Sequence, residues 1–249
     1  IQFADLKKVN DGSTEVQINT ERLIFNGVLQ NDGVEIIKEN LKFYHDPVDK
    51  NFKGKKQLYL DYSEALLGAD SVNYVIVLES DINQNIKNEV TIHPYELEFL
   101  LDGVGTFKIV DLDKKCLIPL DCKLKVKSYA KGSPEYNKIL NLTESRILKR
   151  ENMQAAYEII VQTSGGINLL VADGLYIYLP AVEKVTKVFQ SIDETTAEGV
   201  EYSIKDGFIV IEAKRGWGIF GVVVKTTYMP LWLIILIIAS AIAGVALIV

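Results

Sequence analysis

Only two histidines, His45 and His93, occur in 249 residues. A metal or acid–base site built on imidazole would need both to converge. The simpler expectation is one histidine in a turn ("FYHDP") and one at a strand end ("TIHPYE"). Nucleophile and phosphate signatures are missing too. There is no G-x-S-x-G, no P-loop and no dinucleotide fingerprint, and "TSGG" at 163–166 lies between strand patterns as a turn. Acidic pairs exist, Glu79 with Asp81 and Asp111 with Asp113, but neither brings the six or more oxygens that calcium wants. They read as solvated turn acids. The expectation is a non-enzymatic protein with no cofactor and no metal.

Cysteine is equally scarce, with Cys116 and Cys122 in "KKCLIPLDCK". Straight strand would hold them roughly 20 Å apart, beyond disulfide reach. Pro119 can turn the chain and bring them together, so a local disulfide and a pair of small buried thiols both stay open. Zinc would need three or four ligands, and His93 is the nearest other candidate.

No block of one charge appears either. The 27 basic and 33 acidic residues are interspersed and give a net charge of −6. A nucleic-acid partner is not expected from such a surface, because phosphate binding wants clustered Lys and Arg. The nearest approach, "FKGKK" at 52–56, reads as a solvated loop. One N-glycosylation sequon is present at Asn141 in "NLT".

What the sequence does contain is a charge-free ending, "MPLWLIILIIASAIAGVALIV", from Met229 to Val249. As a helix, residues 231–249 would span roughly 28 Å, close to the hydrocarbon thickness of a bilayer. Pro230 suits a first helical turn, and Trp232 and Tyr228 suit the membrane interface. Ser240 and Gly244, like Ala239 and Ala243, place small residues one turn apart, as on helices that approach closely in lipid. A single-pass C-terminal anchor is therefore expected, with the lipid bilayer as first partner. Only Met229 separates Tyr228 from Pro230, so the preceding domain should sit close to the membrane.

The rest of the chain alternates with a period of two. Strands are expected in 15–20, 57–62, 72–79, 95–101, 105–111, 156–163, 167–172, 175–180, 182–189, 200–205, 208–214 and 219–228. Asp206-Gly207 is the strongest hairpin signal. Tyr176 and Tyr178 share one strand face, as core or as a stacking surface. Helix evidence is thin. Ser133-Pro134-Glu135 reads as a cap, a first-turn proline and an early acid, opening a short helix through Leu140. A second helix over 143–157 would be capped by Thr143.

The fold class expected is mainly β, with one or two antiparallel β-sandwich domains, jelly-roll or immunoglobulin-like, before one transmembrane helix. The boundary is placed at "AKGSPE". This gives an N-terminal sandwich over 1–130, a membrane-proximal sandwich over 131–228 and the anchor over 229–249. Lys214, Arg215 and Lys225 on the N-terminal side of the span argue for a cytoplasmic, tail-anchored orientation. A first residue that is not Met, consistent with a removed signal peptide, argues for the extracytoplasmic side. The extracytoplasmic side is favoured. The function expected is structural: a membrane-anchored β-protein of a cell envelope or membrane complex, packing laterally as a homo-oligomer or in a larger assembly. Alternatives are a capsid or vertex protein of a membrane-containing virus, and a surface-anchored hydrolase or ligand-binding receptor.

Overall fold

The computed structural model describes residues 6–78, 88–193 and 195–226. Their architecture is mainly β, in several sheets with one α-helix. Two compact units interleave along the sequence. The first takes the described residues up to Lys125, then 161–179 and 212–214. The second takes 126–160, 180–211 and the described residues from Arg215 on.

In the first unit, Glu89–His93 is paired on both sides, parallel with Leu6–Val9 and antiparallel with Gly54–Gln57. The parallel pair departs from the antiparallel expectation. "FKGKK" also differs from a free loop, since residues from Gly54 on join this sheet and Lys56 lies 4.8 Å over the Phe52 ring. A second sheet orders Glu15–Val16, Lys42–Tyr44 and Tyr59–Asp61. Glu35–Ile36 pairs with Leu66–Leu67, and Gly105–Asp111 pairs with both Glu96–Leu101 and Leu175–Pro180. Phe43, Leu58, Ala65, Val90 and Ile92 are all buried in one cluster. Their spacing of two within Leu41–Phe43 and Val90–Ile92 is the inward face of each strand.

In the second unit, the sheet order is Lys123–Tyr129, Glu151–Gln162, Gly218–Lys225, Val185–Ser191, Glu198–Gly199. The helix Pro134–Thr143 starts as its sequence requires. Ser133 is extended and its Oγ accepts the Tyr136 N–H at 3.2 Å, with Pro134 in the first turn. Tyr136 and Ile139 join a buried cluster with Met153, Ala156 and Val223. Gly221 makes room for them, because a Cβ there would come within 2.9 Å of Met153 Cε and 3.3 Å of Ile139 Cδ1. The Asp206-Gly207 hairpin forms as expected: φ is 50° and 79°, with Lys205 opposite Phe208.

Three sequence expectations are corrected. The second helix over 143–157 is instead a 3-10 turn, Glu144–Arg146, followed by the strand Glu151–Gln162. Pairing with Gly218–Lys225, across a bulge between Met153 and Ala155, overrides local helix propensity. "INLLVA" makes a single bridge, Gln162 to Asn168, rather than a strand. "VNYVIVL" opens on a 3-10 turn, Ser71–Asn73, and 74–78 then lies outside the described strands. Among the described residues no helix is long and apolar enough to cross a membrane. The expected anchor, with Pro230, Trp232, Ser240 and Gly244, lies outside the described residues, as do Glu79 and Asp81.

Candidate interaction surface

A concavity of the first unit lies between two stretches outside the described strands, 23–28 and 74–78. It encloses about 370 Å³. Its floor is core: Leu41, Phe43 and Leu78 are buried. Along 74–78 the side chains alternate. Tyr74, Ile76 and Leu78 are buried or half-buried, while Val75 and Val77 are exposed. That is the period of a half-buried strand.

The walls are held by polar contacts at their ends. The Tyr74 hydroxyl donates to Asp32 Oδ2 and accepts the Leu29 N–H at 3.1 Å. The hydrogen bond to Asp32 holds the Tyr74 phenol above its ordinary value. Lys38 Nζ donates to the Leu23 carbonyl at 2.8 Å. The Gly33 N–H donates to Asp70 Oδ2 at 2.8 Å. Gly68 sits at φ +108°, where a Cβ would lie 1.9 Å from the Gly33 carbonyl oxygen. Only glycine permits both that backbone and that approach.

The middle of each wall offers apolar surface to solvent. Ile24 is 74% exposed and Val75 70%, with Val28 and Val77 nearly half exposed. At roughly 100 Å² for a fully exposed aliphatic side chain, these four present about 240 Å². Neither 23–30 nor 71–78 contains a charged residue. Sequence reading identified 72–79 as a strand but not the groove, because a strand pattern does not say which strand will pair with it.

The other residues singled out in the sequence are placed elsewhere. His45 and His93 are buried. His45 Nδ1 lies 2.6 Å from the Asp46 carbonyl and His93 Nδ1 lies 3.1 Å from the Ile118 carbonyl. Among the described residues no group of three or more His, Cys, Asp and Glu is placed to hold a metal ion. Asp111 is not a solvated acid as expected. It is fully buried, and its two oxygens accept the N–H groups of Lys115 (3.1 Å) and Leu117 (2.9 Å). Asp113 instead meets Lys115 Nζ at 2.7 Å on the surface. The carboxylate pair is thus consumed in fixing the 111–117 loop.

Cys116 and Cys122 are both free thiols, half-buried and buried. Burial, and next the nearby Asp111 and Asp121, push their pKa values up, which disfavours the reactive thiolate. Asn141 is exposed on the helix, whereas Thr143 of the same sequon is buried with its hydroxyl donating to the Ile139 carbonyl at 2.9 Å. Tyr176 and Tyr178 are half-buried. The stacked aromatic pair on the surface is a different one, Tyr44 with Tyr59, ring centroids 5.5 Å apart.

Two features had no signal in the sequence. The Asn10 side-chain amide donates to three carbonyls, Asp49 (2.8 Å), Lys50 (3.1 Å) and Phe52 (3.0 Å). Asp11 bridges Lys8 (2.8 Å) and Lys114 (2.9 Å). Burial raises its pKa, but hydrogen bonds from those two lysines and from the Ser13 N–H prevail and hold it well below the carboxylate range. No protein-family model, no curated protein and no solved structure matches this chain.

Proposed function

We propose that this chain is a non-enzymatic structural protein, anchored in a membrane by residues 229–249, whose β-rich units pack laterally with copies or partners. Its units are read as jelly-roll or immunoglobulin-like sandwiches standing on the extracytoplasmic face of a membrane. The observation that carries the reading is the uncharged apolar face between 23–28 and 74–78, where Ile24 and Val75 stand open to solvent. A surface of this composition is favourable when covered and unfavourable when wet. The charge-free ending supplies the place, since it matches the hydrocarbon core in length. Of the two acidic pairs in the sequence, Asp111 and Asp113 are engaged in loop structure, with both Asp111 oxygens bonded to backbone N–H groups.

Expression of the full chain beside a chain stopped at Tyr228 tests the anchor. The full chain is expected to stay in the membrane pellet through alkaline carbonate extraction, and the shortened chain to leave it. Release of the full chain by carbonate would overturn the reading.

A receptor role is the second reading, favoured by the exposed Tyr44–Tyr59 stack beside Asp46, to which the Tyr59 hydroxyl donates at 3.3 Å. Stacked tyrosines with a polar tip suit sugar faces. Glycan-array binding lost in Tyr59→Ala would favour it.

A further inference from the structure

The groove between 23–28 and 74–78 has two unlike ends. At one end the Tyr74 hydroxyl is bound to the Asp32 carboxylate and to the Leu29 N–H, so this end is acidic. At the other end stands a cation. Lys38 Nζ donates to the carbonyls of Leu23 (2.8 Å) and Glu21 (3.3 Å) and lies 5.9 Å from the centre of the Phe25 ring. Leu23 and Phe25 both line the groove. Among the described residues those two carbonyls are the oxygens that Lys38 bonds, which leaves one of its three N–H groups for an anion. Between the ends the described lining carries no charge, and Asn26 is its one polar side chain besides Tyr74.

We propose that this groove is a binding site for a medium-chain fatty acid, with its carboxylate at Lys38 and its methyl end toward Tyr74. The inference goes beyond lateral packing, which uses the outer rim at Ile24 and Val75, and does not depend on it. Three observations select the ligand. The first is size. The groove encloses about 370 Å³, and at about 30 Å³ per methylene, the share of one water in the liquid, that holds roughly 12 carbons. The length agrees, because the wall 74–78 alternates as a strand does and four steps of about 3.3 Å give roughly 13 Å. The second is the lining. Leu41 and Phe43 are buried at the floor, and Val34, Ile36 and Leu60 add further apolar surface, which takes methylenes and gives a sugar or a nucleotide few partners. The third is charge. A lysine at one end and an aspartate at the other attract an anionic head to Lys38 and repel it from Asp32.

The side chains assign the roles. Lys38 positions the head through a charge-assisted hydrogen bond. Ile76 and Leu78 lie on the inner face of one wall and meet the chain beside Phe43. Tyr74, its hydroxyl engaged by Asp32 and Leu29, turns its ring to the methyl end. Val34 is half-buried in the lining, so a larger side chain there takes the space of the ligand.

The test uses the full chain in phosphatidylcholine vesicles and dodecanoic acid carrying a diazirine at its methyl end. Light attaches the probe to the side chains beside it, and peptide mass spectrometry reads the positions. Label is expected at 23–28 or 74–78, saturating with probe and displaced by unlabelled dodecanoic acid. Label in 229–249, from acid dissolved in the bilayer, is expected to rise without saturating. Lys38→Glu is expected to weaken the saturable labelling about tenfold or more, as for loss of a hydrogen bond to a charged group. Lys38→Arg is expected to stay near the parent. The matching dodecanol probe, which has no charge, is expected to label the parent and Lys38→Glu alike. Val34→Phe, checked for native circular dichroism, is expected to lower labelling by both probes. Label confined to 229–249, or label in the groove that never saturates, would overturn the proposal. Equal loss of acid and alcohol labelling in Lys38→Glu would overturn it too, because the lysine would then not hold the carboxylate. Saturable labelling unchanged in both Lys38→Glu and Val34→Phe would place the acid outside this groove and equally overturn it.

Discussion

Replacing Gly68 by alanine tests how tightly the rim of the groove is built. Two effects add at this position. The backbone sits at φ +108°, which costs an L-residue about 1–2 kcal/mol. The new Cβ would also stand 1.9 Å from the Gly33 carbonyl oxygen and 2.8 Å from its carbon. Backbone cannot swing away as a side chain can, so Glu35–Ile36 and Leu66–Leu67 would have to part, at a further cost of about 1–3 kcal/mol. Gly27 supplies the control. Its φ is +105°, nearly the same, but nothing lies within 4 Å of its Cβ position. Gly27→Ala should therefore lose only the conformational part. Urea unfolding of the full chain, followed by tyrosine fluorescence, should place Gly68→Ala about 1–3 kcal/mol below Gly27→Ala. Hydrogen exchange should localise the loss to the amide of Ile37, which bonds the Ala65 carbonyl at 2.8 Å. Equal losses at the two glycines would refute the reasoning, because they would show that the close approach to Gly33 is not rigid.

Asn10→Asp turns a donor to three carbonyls into an acceptor facing them, and should lower stability by about 3 kcal/mol or more in the same urea assay. Asp111→Ala leaves the N–H groups of Lys115 and Leu117 without their acceptor and should cost about 2–4 kcal/mol, with faster exchange at both amides. The Asp11 carboxyl is held below its ordinary value of 3.8 in the fold, so its stabilisation is fully present above about pH 4 and is lost as pH falls further. Asp11→Asn should therefore unfold more easily than the parent at pH 6, with the difference shrinking toward pH 2. Thermal melts at the two pH values check the sign.

Local signals carried well from sequence to structure. Ser133 and Pro134 start a helix, and Asp206-Gly207 turns a hairpin, because their chemistry acts within a few residues. "GTFKIVD" and "LYIYLP" are strands with the expected bounds, Gly105–Asp111 and Leu175–Pro180. Expectations failed where the outcome depends on distant chain. Residues 151–157 became strand because Gly218–Lys225 pairs with them. The buried polar anchors were invisible for the same reason. Asn10 reaches carbonyls about forty residues away, and Asp11 reaches Lys114 across 103. Asp111 is a local device in sequence, yet its burial is tertiary, so composition alone read it as a solvated acid.

The most direct measurement is hydrogen–deuterium exchange at the amides of Val75, Ile76 and Val77, made on the full chain reconstituted in vesicles at high and low protein-to-lipid ratio. If lateral packing covers the uncharged face, these amides become protected at the high ratio and exchange faster at the low one. Fast exchange of all three at both ratios, with the Ile92 and Ile109 amides protected throughout, would contradict the account.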